Sequence, residues 1–323
     1  MCNKVIITGG TGFLGKKFIH ALKKSDNDME IIVSLRSENS TTNYFQNCRK
    51  IYNNIENKFE FDEQVSTLIH IASETCKEDK MWSINYIGTK NVLKWAFDAG
   101  VKKIIYVSSI AVFGNNSKKK INESSRCNPI NLYGRTKYAT ERLIISNCIN
   151  NGTKYQIIRP STILDTELIN QKPLLSFIKS ISKGYFHYFK RPEKVYINYV
   201  TINDVINCMV LLININIGNR IYILNNPIKL NVLVDTVAKT LRVNTPKKII
   251  PYNIGYALGY LGDLMGHLVN REMPFNSNYL FELANEKIYD GGLITKEIQF
   301  NYNDNIAEKT KILVNHYIKK GVL

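Results

Sequence analysis

Val5-Ile6-Ile7-Thr8-Gly9-Gly10-Thr11-Gly12-Phe13-Leu14-Gly15 decides how this chain folds. A short β-forming run passes directly into glycines spaced G-x-x-G-x-x-G at 9, 12 and 15. Apolar residues then recur at 13, 14, 18, 19 and 22, the period of one helix face. Strand, glycine turn and helix in this order form a phosphate loop. Gly9 would permit the tight turn, Gly12 would let backbone approach a pyrophosphate, and Gly15 would let the helix pack on the strand. The helix N-terminus would add oriented N–H groups and partial positive charge. Thr11, Phe13 and Leu14 complete the loop's candidate cofactor contacts.

Working outward, apolar runs of strand length at 31–35, 67–71, 103–108 and 155–158 alternate with helical periods at 13–24, 84–99 and 133–147. This order predicts an α/β chain with a Rossmann-type doubly wound parallel sheet. Near-continuous apolar strands suit burial on both faces. Residues 36–66 are polar and aperiodic, so the strand and helix expected there cannot be placed. Beyond 165 the pattern gives a strand at 195–201, a helix at 204–213, a strand at 220–224 and a helix at 230–241. The rest is mostly helical, broken at Pro251 and Pro274. The expected division is a nucleotide-binding domain over 1–165, also receiving roughly 195–225. A smaller C-terminal α/β substrate lobe takes 166–194 and 226–323.

Composition bounds this reading. The chain has 323 residues, 44% hydrophobic and 22% charged, which excludes a disordered or collagen-like protein. Its 43 Lys+Arg against 27 Asp+Glu give a net charge of +16, which raises nucleic acid or an anionic membrane as partners. The basic runs are short and no nucleic-acid-binding motif accompanies them, so no nucleic-acid partner is expected. Cys2, Cys48, Cys76, Cys127, Cys148 and Cys208 form no CxxC pair, predicting reduced thiols and no metal site. With a strand starting at Val5 and no apolar run of membrane-spanning length, a cytoplasmic location is expected.

Further motifs follow in order: Leu68-Ile69-His70-Ile71-Ala72-Ser73, Asn85-Tyr86-Ile87-Gly88-Thr89, Val107-Ser108-Ser109-Ile110-Ala111-Val112-Phe113-Gly114, Tyr133-Gly134-Arg135-Thr136-Lys137 and Ile158-Arg159-Pro160. Together with the glycine loop, this series resembles the extended short-chain dehydrogenase/reductase family, also called the NAD-dependent epimerase/dehydratase family. The resemblance implies that Tyr133 is the acid/base, that Lys137 also binds the nicotinamide ribose, and that Ser109 orients the substrate. It places Ile71, Ala72, Ser73, Asn85 and Pro160 around the cofactor, with Thr162 beside Ser109 and Tyr133 on the substrate. Asn85 is expected to be a structural and ribose-side hydrogen-bonder, and Asp204 a helix cap. Physically, Tyr133 and Lys137 are four apart and share a helix face. A phenol is too weak a base near neutrality unless a neighbouring cation stabilises its anion.

The second strand ends in Arg36-Ser37, where an acidic residue would favour NAD and arginine the 2′-phosphate of NADP. NADP(H) is therefore the favoured cofactor, with NAD(H) the alternative. Dehydratases of the family resemble one another in an Asp-Glu pair just after the catalytic Ser/Thr. Ile110 and Ala111 stand there instead, which argues against a 4,6-dehydratase. The expectation is 4-keto reduction or C4-type epimerisation of a nucleotide-diphospho-sugar. Lys179, Lys183, Lys190, Arg191, Lys194 and Arg220 are candidates for its diphosphate. Alternatives are a hydroxysteroid-like or other lipid/aldehyde reductase, and a non-catalytic dinucleotide sensor. A homodimer through the helices around 84–99 and 133–147 is expected from the family. Residues 249–269, flanked by Lys247, Lys248 and Arg271, form an amphipathic helix. Core packing is its ordinary explanation, and a membrane-surface helix its alternative.

Overall fold

The computed structural model describes residues 4–25, 29–38, 45–114, 116, 118–167, 172–268, 277–284 and 286–323. Cys2, Val269, Arg271 and Pro274, singled out above, lie outside them. The first half builds β1 (Lys4–Thr8), α1 (Phe13–Ser25), β2 (Glu30–Leu35), β3 (Arg49–Tyr52), β4 (Thr67–His70), α2 (Glu78–Trp82), α3 (Thr89–Asp98) and β5 (Lys103–Val107). There follow β6 (Lys120–Ile121), α4 (Leu132–Asn150), β7 (Lys154–Pro160), β8 (Thr162–Leu164), α5 (Lys172–Ser182), β9 (Tyr196–Ile197), β10 (Tyr199–Thr201), α6 (Ile202–Asn214) and β11 (Arg220–Leu224). The chain ends with β12 (Ile228–Lys229), α7 (Leu230–Leu241), α8 (Tyr252–Leu268), α9 (Ser277–Ala284), β13 (Ile288–Tyr289), α10 (Gly292–Ile298) and α11 (Ile306–Lys319).

Seven parallel strands form one sheet in the order β11-β7-β5-β4-β1-β2-β3. This is the doubly wound architecture expected. Ile6, Ile32, Leu68, Ile104 and Ile157 point to one face with Val92, Trp95 and Ile144 of α3 and α4. Val5, Ile7, Ile69, Ile105 and Ile158 point to the other, with Phe18 of α1 and Met209 of α6. Period-two alternation with both sets apolar is what a sheet covered on both sides requires. A separate core cluster buries Phe177, Leu233, Val237, Leu313 and Tyr317.

Four details differ from expectation. The strand absent from the reading of 36–66 is β3, an edge strand with exposed Arg49 and Lys50 and so no buried period. The helix expected over 84–99 is interrupted by a π-helical segment, Ser83–Gly88, between α2 and α3. Asp204 is not itself the cap of α6. Thr201 is the cap, its Oγ1 accepting from the Asp204 N–H, while Asp204 Oδ1 accepts from Asn303 N–H at 3.0 Å. Finally, the apolar side of α8 is not packed in the core: Ile254, Leu258, Leu261, Leu264, Met265 and Leu268 are all exposed. Its glycines take the inward face instead, with Gly255 and Gly259 buried.

Candidate active site

After β1 and β4 the chain leaves the sheet on opposite sides, opening a crevice at the strands' C-terminal ends. A cleft of about 600 Å³ occupies it. The glycine turn forms its floor. Gly9 has φ +79°, and a Cβ there would lie 2.4 Å from Ala72 N, so both conformation and space demand glycine. A Cβ on Gly15 would lie 2.3 Å from Gly9 O, and its absence lets α1 start tightly against the turn. Gly12 differs: its nearest neighbour is Gly9 O, 3.2 Å from the built Cβ. A bare backbone beside a helix N-terminus, facing a cleft of this size, fits a dinucleotide pyrophosphate.

Thr11, Phe13 and Leu14 line the cleft with these glycines, as do Arg36, Ile71, Ala72, Ser73, Ser109, Tyr133, Lys137 and Pro160. Ser37, Asn85 and Thr162 are not in its lining. Thr162 is exposed on β8, while its neighbours Ser161 and Ile163 face the cleft. Alternation along β8 explains this displacement by one residue. Asn85 is buried and fully engaged: Oδ1 accepts from Glu74 N–H and Ser73 Oγ, and Nδ2 donates to Glu74 O and Thr136 Oγ1. Its own carbonyl, inside the π segment, accepts from the hydroxyls of Thr89 and Thr140. These bonds clamp the 73–74 turn to α4. The six basic residues considered for a diphosphate also lie outside the lining. Arg220 pairs with Glu297 at 2.8 Å and Lys190 with Glu286 at 3.4 Å.

Asn53 and Ile55 line the cleft unforeseen. Asn53 Oδ1 accepts from Glu60 N–H and its Nδ2 donates to Glu60 O, while Asn91 Nδ2 donates to Ile55 O. Asn91, far away in sequence, fixes the middle of this loop, a contact that local pattern does not carry. The single available signal was the polar Asn-Asn-Ile step following Tyr52.

Beside the loop, the first two turns of α4 carry Tyr133 and Lys137, one turn apart. Asn131 caps that helix by accepting from Gly134 N–H at 2.8 Å. Gly134 passes so close to Ala111 O that a Cβ would come within 2.5 Å, bringing the turn after β5 against α4. Ser109 therefore meets the same cleft; its Oγ also accepts from Ala111 N–H and caps the 3₁₀ turn Ile110–Phe113. Burial drives the Tyr133 phenol up to about 12, and its hydrogen bond with Ser109 opposes the rise. Burial lowers the Lys137 amine to about 7, with the Glu141 carboxylate raising it. Lys137 Nζ donates to Val107 O at 2.8 Å and lies 5.8 Å from the centre of the Tyr133 ring. Glu141 in turn forms a buried bidentate pair with Arg159 on β7, at 2.9 and 2.6 Å.

Behind the loop, His70 ties three elements together. Its Nδ1 lies 2.6 Å from Thr8 Oγ1 and its Nε2 2.8 Å from Thr89 Oγ1. Thr89 gives its own proton to Asn85 O, so Nε2 must be the donor and Thr8 must donate to Nδ1. Complete burial holds the ring neutral, its pKa lowered to about 3.

Fold and site together define a doubly wound α/β protein with a tyrosine, a lysine and a serine gathered beside a glycine turn. The NAD dependent epimerase/dehydratase family model matches residues 5–223, and the chain belongs to that family. It is 24% identical over 289 residues to the N-acetyl-alpha-D-glucosaminyl-diphospho-ditrans,octacis-undecaprenol 4-epimerase of Escherichia coli O157:H7, covering 86% of this chain and 84% of that one. It is 27% identical over 194 residues to a dTDP-D-glucose 4,6-dehydratase of Mus musculus, 54% of each chain. The crystal structure of UDP-glucuronic acid 4-epimerase from Bacillus cereus in complex with NAD has the same fold. Its TM-score is 0.71 at 15% identity, over 99% of this chain and 100% of that one.

Proposed function

We propose that the protein is a nicotinamide-dinucleotide-dependent enzyme acting on a carbonyl or secondary alcohol of a sugar carried on a diphosphate, by 4-keto reduction or C4-type epimerisation. The observation carrying this reading is that Ser109, Tyr133 and Lys137 line one cleft with the glycine loop. A bound nicotinamide would accept or return hydride at the sugar carbon. Tyr133 would hold or release the proton of the sugar oxygen, and Ser109 would orient that oxygen. In its charged form, Lys137 would stabilise the phenolate, countering the burial that raises it. Gly12 backbone and the start of α1 would take the pyrophosphate, with Arg36 at the adenosine ribose. That arginine supports NADP(H), whereas the family's name and the NAD-bound structural neighbour support NAD(H).

Ile110 and Ala111, which cannot transfer protons, support a non-dehydratase reaction despite dehydratases among the relatives. A nucleotide-diphospho-sugar is the leading substrate. A second reading, a sugar on a lipid diphosphate, is supported by the Escherichia coli relative that aligns over most of both chains.

The test is turnover of a panel of UDP- and dTDP-sugars and their 4-keto forms with NAD or NADPH, products being read by NMR. Tyr133→Phe should lower kcat by about 10²–10⁴-fold while dinucleotide affinity is retained. Elimination of water as the main outcome, or turnover indifferent to Tyr133→Phe, would overturn the reading.

A further inference from the structure

We infer that α8 and the basic residues at its N-terminal end form a surface that docks the protein on an anionic lipid bilayer. The helix is inside out relative to an ordinary surface helix. Gly255, Gly259, Gly262 and Gly266 recur at helical spacing and occupy its buried and half-buried side. At Gly255 the fit is close: a Cβ would lie 2.5 Å from Phe189 and 2.9 Å from Leu280. The bulky side chains are thereby turned outward, with Ile254 53%, Tyr260 63%, Leu261 53% and Leu268 80% exposed. Asp263 carries the one carboxylate of the helix, and it is turned partly inward, toward Ser277 N–H.

The surroundings choose the occupant. Backbone pairing between Tyr188 and Ile249 brings 188–191 alongside the approach to α8. Lys190 lies 5.8 Å from the ring of Tyr252, and Arg191, Lys194, Lys247 and Lys248 are exposed nearby in the chain. Glu193 and Glu286 offset only part of that charge, and Lys119 already shares Glu286. A second copy packed with its α8 parallel to this one would oppose cations to cations at this face. Anionic headgroups would instead meet the cations while the apolar side chains enter the acyl boundary. Tyr252, Tyr256 and Tyr260, one turn apart, suit the level between the two.

The test is co-sedimentation of the full chain with phosphatidylglycerol–phosphatidylcholine vesicles, with pure phosphatidylcholine as reference. The expected result is binding to the anionic vesicles that weakens as salt is raised. Combined Tyr260→Ser, Leu261→Ser and Leu264→Ser should cut partitioning by about tenfold or more with the circular dichroism spectrum unchanged. Lys247→Glu with Lys248→Glu, which leaves the helix itself intact, should reduce binding and flatten its salt dependence. Ile312→Ser with Ile318→Ser, exposed apolar positions on α11, should change neither. Absence of vesicle binding by the folded protein, or equal loss with the α11 pair, overturns the inference. So does conversion of a dimer to a monomer by the α8 substitutions without any effect on vesicles. Vesicle binding is read without turnover, so its outcome stands apart from the proposed chemistry.

Discussion

At the residue scale, the site depends on two groups whose charged forms are disfavoured by burial. For Lys137 the consequence is measurable without substrate. Its amine is held near 7 in the folded, cofactor-free protein, against 10.5 ordinarily. Between those values the unfolded chain binds a proton that the native chain does not. Stability should therefore rise with pH across this window, by at most about 1.4 kcal/mol per pH unit from this group. Urea unfolding should show that slope in the wild type and its loss in Lys137→Met; identical pH profiles would contradict it. Arg36 gives a second prediction. Arg36→Asp should weaken NADP by about 10–100-fold, the worth of a charge-assisted contact, and spare NAD. Titration calorimetry with both dinucleotides checks this, and similar affinities for the two in the wild type would remove the NADP preference. These residues were legible in the sequence because their motifs are local. Thr162 falls outside the cleft lining because one residue along a strand reverses the face.

At the scale of elements, α4 is the member that must not shift, since it positions both Tyr133 and Lys137. Its anchor to the sheet is the Glu141–Arg159 pair, with both side chains almost wholly buried. Removing one partner strands the other charge, so Glu141→Ala should cost about 3–5 kcal/mol of stability, measured by denaturant unfolding. A loss below about 1 kcal/mol would show the pair to be solvent-screened, as exposed pairs are. Sequence pattern revealed the sheet strands buried on both faces, because burial writes a continuous apolar run. It did not reveal β3 or the 53–61 loop. The strand is held by pairing with β2, and the loop by Trp95 Nε1 donating to Phe61 O and Asn91 Nδ2 donating to Ile55 O, both far away in sequence, with the Asn53–Glu60 bonds closing the loop on itself. The π segment was hidden for a similar reason, since its released carbonyl is satisfied partly by Thr140, 55 residues away.

At the scale of the molecule, the 43 basic residues behind the +16 net charge divide into groups with different meanings. Lys137 and Arg36 belong to the cleft, and the group near α8 belongs to the proposed bilayer surface. Others, including Lys4, Arg49 and Arg220, are tied to carboxylates on the sheet's margins. Among the described residues no helix is long and apolar enough to cross a membrane. In the proposed function, the glycine loop and the serine–tyrosine–lysine cleft together hold a nicotinamide dinucleotide. Native mass spectrometry of the protein titrated with NAD and NADP tests it most directly. One dinucleotide per chain is expected for the wild type, and none for Gly12→Val with an unchanged circular dichroism spectrum. No binding of either dinucleotide, or equal binding by Gly12→Val, would show that the loop and cleft do not form a dinucleotide site.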